Sequence, residues 1–356
     1  MQIAASQLAT HVQRGLKSLY VLHGDEPLLQ QEAADTLRAA ARDQGYTERT
    51  VFVVSGAHFD WSAVLAAGNS LSLFADKQLV ELRIPSGKPG KEGGQALQQL
   101  AEQAATQDST LTLVLLPRLE GVAYKSAWFG ALEAHGVTLR LDPIERTQLP
   151  QWIAQRLQLN QQRVAAGEAG QRTLQFMADR VEGNLLAAHQ EIQKLALLYP
   201  AGELSFEHVE SAVLNVARYD PFKWSDAVLL GQTERMHRML QGLEAEGTAA
   251  VLVHWALSDD LRTLWRLKAA THAGKPLAMA LKEQRLWGPK EKKFERAAPR
   301  VSVAQAEEWV QAAHVLDGLC KGLKHPDWPV NPWQALAHLA IQVSRTCAGE
   351  SALNAA

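Results

Sequence analysis

The chain has 356 residues, of which 47% are hydrophobic and 21% are charged, and it contains two cysteines. This composition is typical of globular proteins of about two or three domains, and it excludes wholesale disorder, a disulfide scaffold and a multi-cysteine zinc module. No apolar run reaches the roughly 18 residues that span a bilayer. The N-terminus has no basic region followed by an apolar one, so we expect no secretory signal and a reducing compartment.

The formal charge of −2 hides a basic segment. Residues 261–300 hold eleven Lys or Arg against three Glu, a net charge of +8, so the remainder of the chain carries −10. Such a confined basic stretch is compatible with a nucleic-acid contact and equally with an ordinary solvated surface. The charge pattern leaves both interpretations open.

The first 142 residues alternate between short apolar strands and amphipathic helices. Strands are predicted at 18–24, 49–55, 78–84, 110–116 and 137–141, and helices at about 27–44, 60–68, 93–106 and 126–135. The strands are near-continuous runs of Val and Leu, which is typical of a parallel sheet covered by helices on both faces. This alternation predicts a doubly wound α/β domain.

Beyond Pro143 the pattern becomes helical and shows no convincing strand. Helices are predicted at 148–158, about 168–182, 184–199 and 206–215, and then from 222 to about 342 with several breaks. Asp220 and Pro221 form a good helix start between these two stretches. We therefore predict an α/β domain over 1–142, a small helical domain over 143–216 and a larger helical domain over 217–356.

The turn after the first strand, GDEPLLQQ at 24–31, occupies the position where a nucleotide-binding α/β domain carries its phosphate-binding loop. It contains one glycine and neither Lys nor Ser or Thr. Asp25 and Glu26 would repel phosphate, and Pro27 lacks an amide donor. We interpret the segment as a strand-to-helix turn with Pro27 at the helix start, and expect no ATP hydrolysis.

Other enzyme signatures are missing. The glycine-rich stretch 85–94 has the spacing of neither phosphate-binding motif, so we interpret it as a surface loop. The sequence contains no Gly-x-Ser-x-Gly elbow, no His-Glu-x-x-His helix and no acidic pair at a strand end that would hold a metal. We therefore expect no catalytic site, no cofactor and no metal.

One apolar turn is unusual. Leu73 and Phe74 lie in a linker, 69–76, between the helix at 60–68 and the strand that starts near Gln78. Either both side chains pack into the core of their own domain, or they form a hydrophobic plug for a pocket on a partner protein. These residues alone leave both interpretations open.

Five short segments occur in the order found in one protein family. They are YVLHGDEPLLQQE at 20–32, SLF at 72–74, LPQW at 149–152, EGNLLA at 182–187 and YDPFKWSDA at 219–227. Each segment is short, but their order on this architecture is specific and covers nearly the whole chain. On these segments the chain resembles the delta subunits of bacterial DNA polymerase III clamp loaders, which are AAA+ proteins that have lost their nucleotide site.

The resemblance implies an AAA+ (RecA-like) α/β domain, a helical lid and a helical collar. It implies a protein that binds the sliding clamp (beta subunit) and helps to open one interface of the ring, while other subunits hydrolyse ATP. Leu73 and Phe74 would be the plug that enters the clamp, and Ser70, Leu71 and Ser72 would support it.

The resemblance also implies partners and a location. The collar would join the gamma/tau and delta-prime subunits, and the assembly would act on primer–template DNA in the bacterial cytoplasm, at the nucleoid and away from membranes. The chain would then belong to a DNA-directed DNA polymerase, a nucleotidyltransferase, without carrying the polymerase or ATPase active site. The alternatives are a free-standing DNA-binding protein and a degenerate AAA+ motor subunit.

Two aromatic positions in the last third are candidate DNA contacts. Trp287 lies near Lys290, Lys292 and Lys293, and Trp328 lies in a Pro-rich turn. Aromatic side chains among cations can stack on unpaired bases while the cations neutralise phosphates. The other interpretation is a Trp that anchors a helix end beside solvated lysines.

Overall fold

The structure is a computed structural model that describes residues 1–56, 58–69, 77–106, 109–214 and 216–349. Within these residues, no helix is both long enough and apolar enough to cross a membrane. The fold that follows concerns this part of the chain.

The chain divides into two compact units. Unit 1 comprises Met1–Ala178 and Leu185–Leu214, and unit 2 comprises Asp179–Asn184 and Asn215–Ala356. Most of the segment predicted as a small helical domain therefore falls in unit 1, together with the α/β domain. The domain border at residue 142 stays a prediction.

In the described part of unit 1, six strands form one parallel sheet. They are β1 (Gln2–Ile3), β2 (Leu19–His23), β3 (Glu48–Val53), β4 (Gln78–Arg83), β5 (Thr110–Leu116) and β6 (Val137–Arg140). Their order across the sheet is β1-β6-β2-β5-β4-β3, and every neighbouring pair is parallel. The chain runs from β2 to the edge strand β3, returns through β4 and β5, and crosses β2 to reach β6. The predicted doubly wound parallel sheet is confirmed, whereas β1 is too short for a sequence pattern to show.

Helices cover both faces of this sheet. They are α1 (Leu8–Gln13), α2 (Pro27–Asp43), α3 (Trp61–Asn69), α4 (Gly90–Ala104), α5 (Gly121–Tyr124) and α6 (Ala127–His135). Leu19 and Val21 of β2 belong to the core under α3, α4 and α6, whereas Tyr20 and Leu22 belong to the core under α1 and α2. Because successive side chains of a strand point to opposite faces, a sheet covered on both faces needs apolar residues throughout its strands.

The remainder of unit 1 is mainly helical. Its elements are α7 (Leu149–Leu159), β7 (Gln162–Val164), α8 (Gly167–Val181, whose last turn enters unit 2), α9 (Leu185–Leu198), β8 (Gly202–Leu204) and α10 (Phe206–Ala212). Strands β7 and β8 pair in parallel, so the expectation of no strand beyond Pro143 is wrong. Three residues are too few for alternation to be visible in a sequence. The buried Gln162 side chain fixes β7 by donating to the carbonyls of Leu195 (3.1 Å) and Tyr199 (2.9 Å).

A two-point ion pair joins α7 to α2. The Arg156 guanidinium donates to both carboxylate oxygens of Glu32, at 2.5 and 2.6 Å. It also lies over the ring of Trp152, 4.7 Å from the ring centroid. Both side chains are mostly shielded from solvent, so the planar guanidinium fixes the direction in which α7 leaves the α/β part of unit 1.

The regular elements in the described residues of unit 2 are all helices, as predicted. Its helices are α11 (Pro221–Leu229), α12 (Thr233–Ala245), α13 (Ala250–His272), α14 (Leu277–Glu283), α15 (Pro289–Ala297), α16 (Val303–Cys320) and α17 (Pro332–Ala348). The predicted start at Asp220 is confirmed, because its carboxylate accepts hydrogen bonds from the N–H groups of Phe222 and Lys223 while Pro221 takes the first helical position.

A buried ion cluster ties three helices of unit 2 together. Lys293 of α15 is 4% exposed, and its Nζ donates to Asp226 of α11 (2.6 Å) and to Asp260 of α13 (2.7 Å). Asp260 also accepts a hydrogen bond from the Ser225 hydroxyl at 2.6 Å. Burial raises the pKa of Asp260, and the Lys293 ammonium opposes this rise. The cluster therefore depends on one cation to balance two carboxylates.

A buried histidine lies between α13 and α16. His254 is 4% exposed, and its Nε2 lies 2.8 Å from the carbonyl oxygen of Ala313, so the neutral ring donates there. Burial lowers the pKa of His254 below its ordinary 6.5, against the opposing effects of the Ala313 hydrogen bond and the Asp317 charge; Arg262 and Lys321 add to the lowering. The folded chain therefore holds His254 in its neutral form.

We predict that Lys293→Met lowers the free energy of unfolding by about 3–5 kcal/mol, because Asp260 is left buried without its cation. The loss should be smaller at pH 5 than at pH 8, since the unpaired carboxyl can take up a proton at the lower pH. Urea denaturation at the two pH values measures both effects. Lys292→Met, at the exposed neighbouring position, is the matched control and should change little.

We also predict that unit 2 loses stability as pH falls from 7.5 to 5.5. The unfolded state takes up a proton at His254 near pH 6.5 whereas the folded state resists it, so this histidine costs up to about 1.4 kcal/mol per pH unit below that point. Thermal unfolding across this range should show a weaker pH dependence in His254→Gln. The same change at the exposed His237 should leave the pH dependence as in the wild type.

Candidate functional site

Two backbone donors of the turn between β2 and α2 are occupied. The Gly24 N–H donates to the Leu116 carbonyl at the end of β5 (3.3 Å), and the Glu26 N–H donates to the Leu141 carbonyl beyond β6 (3.1 Å). Pro27 begins α2 and has no N–H. A phosphate-binding loop needs free amides at this position. Here two amides are already paired and a third is missing.

Gly24 allows this close approach between the turn and β6. Its φ is +151°, and a Cβ placed there would lie 2.0 Å from the Leu141 carbonyl oxygen. Any larger residue would push the turn away from the end of the sheet. The one glycine of this turn therefore serves backbone packing, whereas glycines of a phosphate-binding loop make room for the ligand.

Two carboxylates are part of the same turn. Asp25 accepts a hydrogen bond from the Arg118 N–H (3.0 Å), and Glu26 caps α2 by accepting one from the Leu28 N–H (3.2 Å). Glu26 is 8% exposed, and burial raises the pKa of its carboxyl. Both side chains thus have structural partners, and their charge disfavours a phosphate at this position.

A crevice of about 650 Å³ lies beside this turn, at the carboxyl ends of β4 and β5. Gly24, Asp25, Arg38 and Arg83 are among its lining residues. A nucleotide-binding domain of this topology holds its ligand at these strand ends. At the end of β4 this chain carries Arg83, where a metal-binding carboxylate would be required. Within the described residues, no group of three His, Cys, Asp or Glu side chains could hold a metal ion.

The residues predicted to contact the clamp lie outside the described residues: Ser70, Leu71, Ser72, Leu73 and Phe74. The structure does place the elements on either side, because α3 ends at Asn69 and β4 begins at Gln78. The buried Gln78 side chain donates to the Ala67 carbonyl of α3 (2.5 Å) and to the Thr110 hydroxyl (3.3 Å). One amide side chain therefore ties the end of α3 to the start of β4.

The helix that leads into this segment is itself well anchored. Asp60 Oδ1 accepts hydrogen bonds from the Ser62 N–H (2.9 Å) and hydroxyl (2.5 Å), which caps α3. The Trp61 ring packs on Gly93 of α4, where a Cβ would lie 2.3 Å from the ring. These contacts fix α3 against α4 and so fix the point from which residues 70–76 leave.

The candidate DNA contacts separate into two groups. Trp287 is 61% exposed in the connection between α14 and α15, and Lys290 and Lys292 are exposed at the start of α15. Lys293, in contrast, is buried in the ion cluster of unit 2, so it is unsuited to contact phosphate. Trp328 is half-buried against the unit 2 core, with its ring edge-on to His338 at 5.5 Å. Only the first three residues retain the exposure that a DNA contact requires.

Sequence reasoning missed an exposed apolar patch on unit 2. Phe222 of α11 packs edge-on against Trp255 of α13, with ring centroids 5.6 Å apart, and both rings are about half exposed. Val251 and Leu252 of α13 are also more than 40% exposed. We call these four residues the α13 patch. The available signal was the helix start AVLVHWAL, in which every residue except His254 is apolar, so that some apolar side chains must face solvent.

Sequence reasoning also missed a cluster of arginines around one glutamate in unit 1. Arg38, Arg49 and Arg83 all bond to Glu81 of β4, which is fully buried. The signal was a glutamate flanked by the apolar residues Val80 and Leu82 in the strand QLVELR, because a buried charge needs a partner. The identity of the partners could not be read from the sequence, since they come from three elements.

Two family models match the chain. Residues 20–141 match the family described as DNA polymerase III, delta subunit, and residues 221–346 match the one described as processivity clamp loader gamma complex DNA pol III C-term. Together the two matches cover most of unit 1's α/β part and nearly all of unit 2's helices.

Individual relatives agree with this assignment. The chain is 33% identical over 312 residues to DNA polymerase III subunit delta of Escherichia coli K12, which covers 87% of this chain and 88% of that protein. It is 28% identical over 356 residues to the subunit of the same name from Haemophilus influenzae, with 96% and 99% covered. The solved Bacillus subtilis DNA clamp loader delta protein has the same fold (TM-score 0.52, 16% identity, 96% and 99% covered). The chain belongs to the delta-subunit family of DNA polymerase III, a component of the clamp loader.

Proposed function

We propose that this chain binds the sliding clamp and helps to hold one interface of the ring open, without hydrolysing ATP itself. The observation that carries the proposal is the closed turn at 24–27, in a chain of the delta-subunit family. Two of its amides are paired, its charge is negative and Pro27 replaces a donor, so Mg·ATP lacks the groups that would hold it. The α/β domain then acts as a rigid scaffold for binding, and other loader subunits hydrolyse ATP.

In this proposal the clamp contact is the segment 70–74. Leu73 and Phe74 enter an apolar pocket on the clamp, and Ser70, Leu71 and Ser72 shape the segment around them. The hydrogen bond from Gln78 to the Ala67 carbonyl supports this role, because it limits the freedom of the segment's two ends. A segment with fixed ends loses less conformational entropy on binding.

Ring opening requires a difference in affinity. A subunit shifts the clamp toward the open state only if it binds that state more tightly than the closed ring, and each factor of ten contributes about 1.4 kcal/mol. A plug seated beside the ring interface would supply this difference if the pocket or its surroundings change shape when the interface opens. The clamp loader would then release the clamp by withdrawing the plug.

Unit 2 is proposed to join this chain to its neighbours in the loader, the gamma/tau and delta-prime subunits. The α13 patch supports this role, because exposed aromatic and aliphatic side chains grouped on one surface are typical of protein interfaces. The edge-on pair of Phe222 and Trp255 provides the kind of rigid anchor that dominates binding energy.

Direct contact with primer–template DNA is proposed for Trp287, Lys290 and Lys292. Their exposure and their position in the basic stretch support a base-stacking aromatic next to phosphate-neutralising cations. The polymerase and nucleotidyltransferase activities belong to the holoenzyme, in which this chain participates as a subunit. Its place of work is therefore the replication fork, at the nucleoid in the cytoplasm.

We predict that Leu73→Ala combined with Phe74→Ala weakens clamp binding by at least about 100-fold, because each anchor contributes on the order of 2 kcal/mol. Surface plasmon resonance with immobilised clamp measures this loss. The matched control is Leu159→Ala with Leu197→Ala, two leucines of unit 1 that are 76% and 88% exposed, and it should bind like the wild type.

The stability of the Leu73→Ala, Phe74→Ala variant shows whether these two residues form a plug for the clamp or pack in the core of their own domain. Its thermal unfolding should stay near that of the wild type, because plug residues contribute little to the core. A loss of several kcal/mol of stability would mean that Leu73 and Phe74 pack inside their own domain, and would contradict the proposal. Unchanged clamp affinity in a folded double variant would contradict it directly.

We predict that Lys290→Gln with Lys292→Gln weakens binding of primed DNA by the assembled loader and reduces the salt dependence of the binding constant. The slope of log K against log salt should fall by about 1–2, because each lost phosphate contact removes roughly 0.7–0.9. Fluorescence anisotropy across a salt series measures the slope. The exposed pair Lys88 and Lys91 of unit 1 provides the matched control.

A further inference from the structure

The outer edge of β3 is open. This strand is the last in the sheet order, and within the described residues it pairs only with β4. Proteins usually protect such edges with Pro, Lys or a bulge. The strand ERTVFV contains neither Pro nor Lys, its two charged residues Glu48 and Arg49 lie at its start, and its six residues pair with β4 in regular register. Its side chains Val51 and Val53 are 42% and 48% exposed.

The backbone groups of Val51 and Val53 face this open edge. The Val54 N–H donates to the Arg83 carbonyl of β4 at 2.9 Å. In a parallel ladder the N–H groups of alternate residues point to opposite sides of the strand. The N–H groups of residues 51 and 53 therefore point away from β4, where an added strand could accept their hydrogen bonds.

A surplus of positive charge lies on the same face of the sheet as Val51 and Val53. Glu81 pairs with Arg38 (2.9 Å), Arg49 (2.8 Å) and Arg83 (2.7 Å), and Asp35 pairs with Arg38 (2.6 Å). Three cations thus surround two carboxylates. Burial acts to raise the pKa of Glu81, but hydrogen bonds from Arg83, Arg49 and Arg38 outweigh it and hold the pKa below its ordinary value. The glutamate stays ionised, and the cluster keeps a formal charge of +1.

Two of these arginines can bind a further anion. All three guanidinium nitrogens of Arg38 donate to Glu81 or Asp35. Arg49 and Arg83 use only Nε and Nη2 on Glu81, so no hydrogen bond among the described residues uses their Nη1. Their side chains are 42% and 44% exposed. An incoming carboxylate would therefore meet two partly exposed, fixed donors.

The crevice beside the turn adjoins this cluster. Arg38 and Arg83 belong to both, and the remaining lining includes the apolar side chains of Ile84, Pro85 and Pro117. The neighbouring turn offers neither the Gly24 nor the Glu26 amide to a phosphate, since both are paired.

We propose that the outer edge of β3, with Arg49 and Arg83, binds an extended acidic segment of a partner protein as an added strand. The segment's backbone pairs with residues 51 and 53, and its carboxylates bond to the two free Nη1 groups. A second copy of this chain does not fit, because pairing two β3 edges would bring like-charged arginines together. This binding site uses none of residues 70–74 and does not depend on the proposed clamp contact.

Selection of random twelve-residue peptides displayed on phage, against the full chain, tests the proposal. The expected consensus is acidic and rich in β-branched residues. A synthetic peptide of that consensus should bind Val51→Pro at least about tenfold more weakly, because proline removes an outward N–H without removing a β3–β4 hydrogen bond. Arg49→Gln with Arg83→Gln should cause a similar loss, and Leu73→Ala with Phe74→Ala should cause none.

Two controls keep the test decisive. Val51→Thr retains the N–H and the strand preference, so it should bind like the wild type, and thermal unfolding confirms that each variant is folded. Failure to select an acidic consensus, or equal binding by Val51→Pro and wild type, overturns the proposal. Binding of inorganic pyrophosphate that competes with the peptide and is unaffected by Val51→Pro would identify a phosphate site instead, and would also overturn it.

Discussion

Closure of the turn after β2 against the ends of β5 and β6 determines what this sheet can do. Two hydrogen bonds and a glycine without room for a Cβ bring residues 24–27 against the carbonyls of Leu116 and Leu141. In a nucleotide-binding domain those amides stay free for phosphate. Here the amides of Gly24 and Glu26 bond to the sheet itself, which leaves fewer donors at this carboxyl edge for a phosphate group.

The charged residues at the carboxyl ends of these strands also differ from those of a nucleotide-binding site. A working Mg·ATP site needs carboxylates at a strand end and a cation in the loop. This chain has Asp25 and Glu26 in the turn and Arg83 at the end of β4. In this structure Glu26 serves the cap of α2, and Arg83 belongs to the Glu81 cluster. The proposed function therefore depends on surfaces of this chain, and one fold can host many unrelated functions.

Much of the fold could be predicted from the sequence, because long periodic segments such as 110–116 and the Asp220-Pro221 cap are determined locally. The strands β1, β7 and β8, of two or three residues each, could not be predicted, since their pairing depends on partners distant in the sequence. The burial of Lys293 could not be predicted from the sequence either, because its carboxylate partners lie 33 and 67 residues away along the chain. The resemblance that names Leu73 and Phe74 rests on sequence, and the structure contributes the anchored elements on either side.

The most direct test of the central claim is clamp binding by the purified chain without nucleotide, with Mg·ADP and with Mg·ATP. Surface plasmon resonance gives the affinity, and equilibrium dialysis with labelled ATP gives nucleotide retention in the same preparation. The closed turn predicts equal clamp affinity in all three conditions and no retained nucleotide. Retention of ATP by the chain, or a clamp affinity that changes about tenfold when ATP is added, would contradict the account.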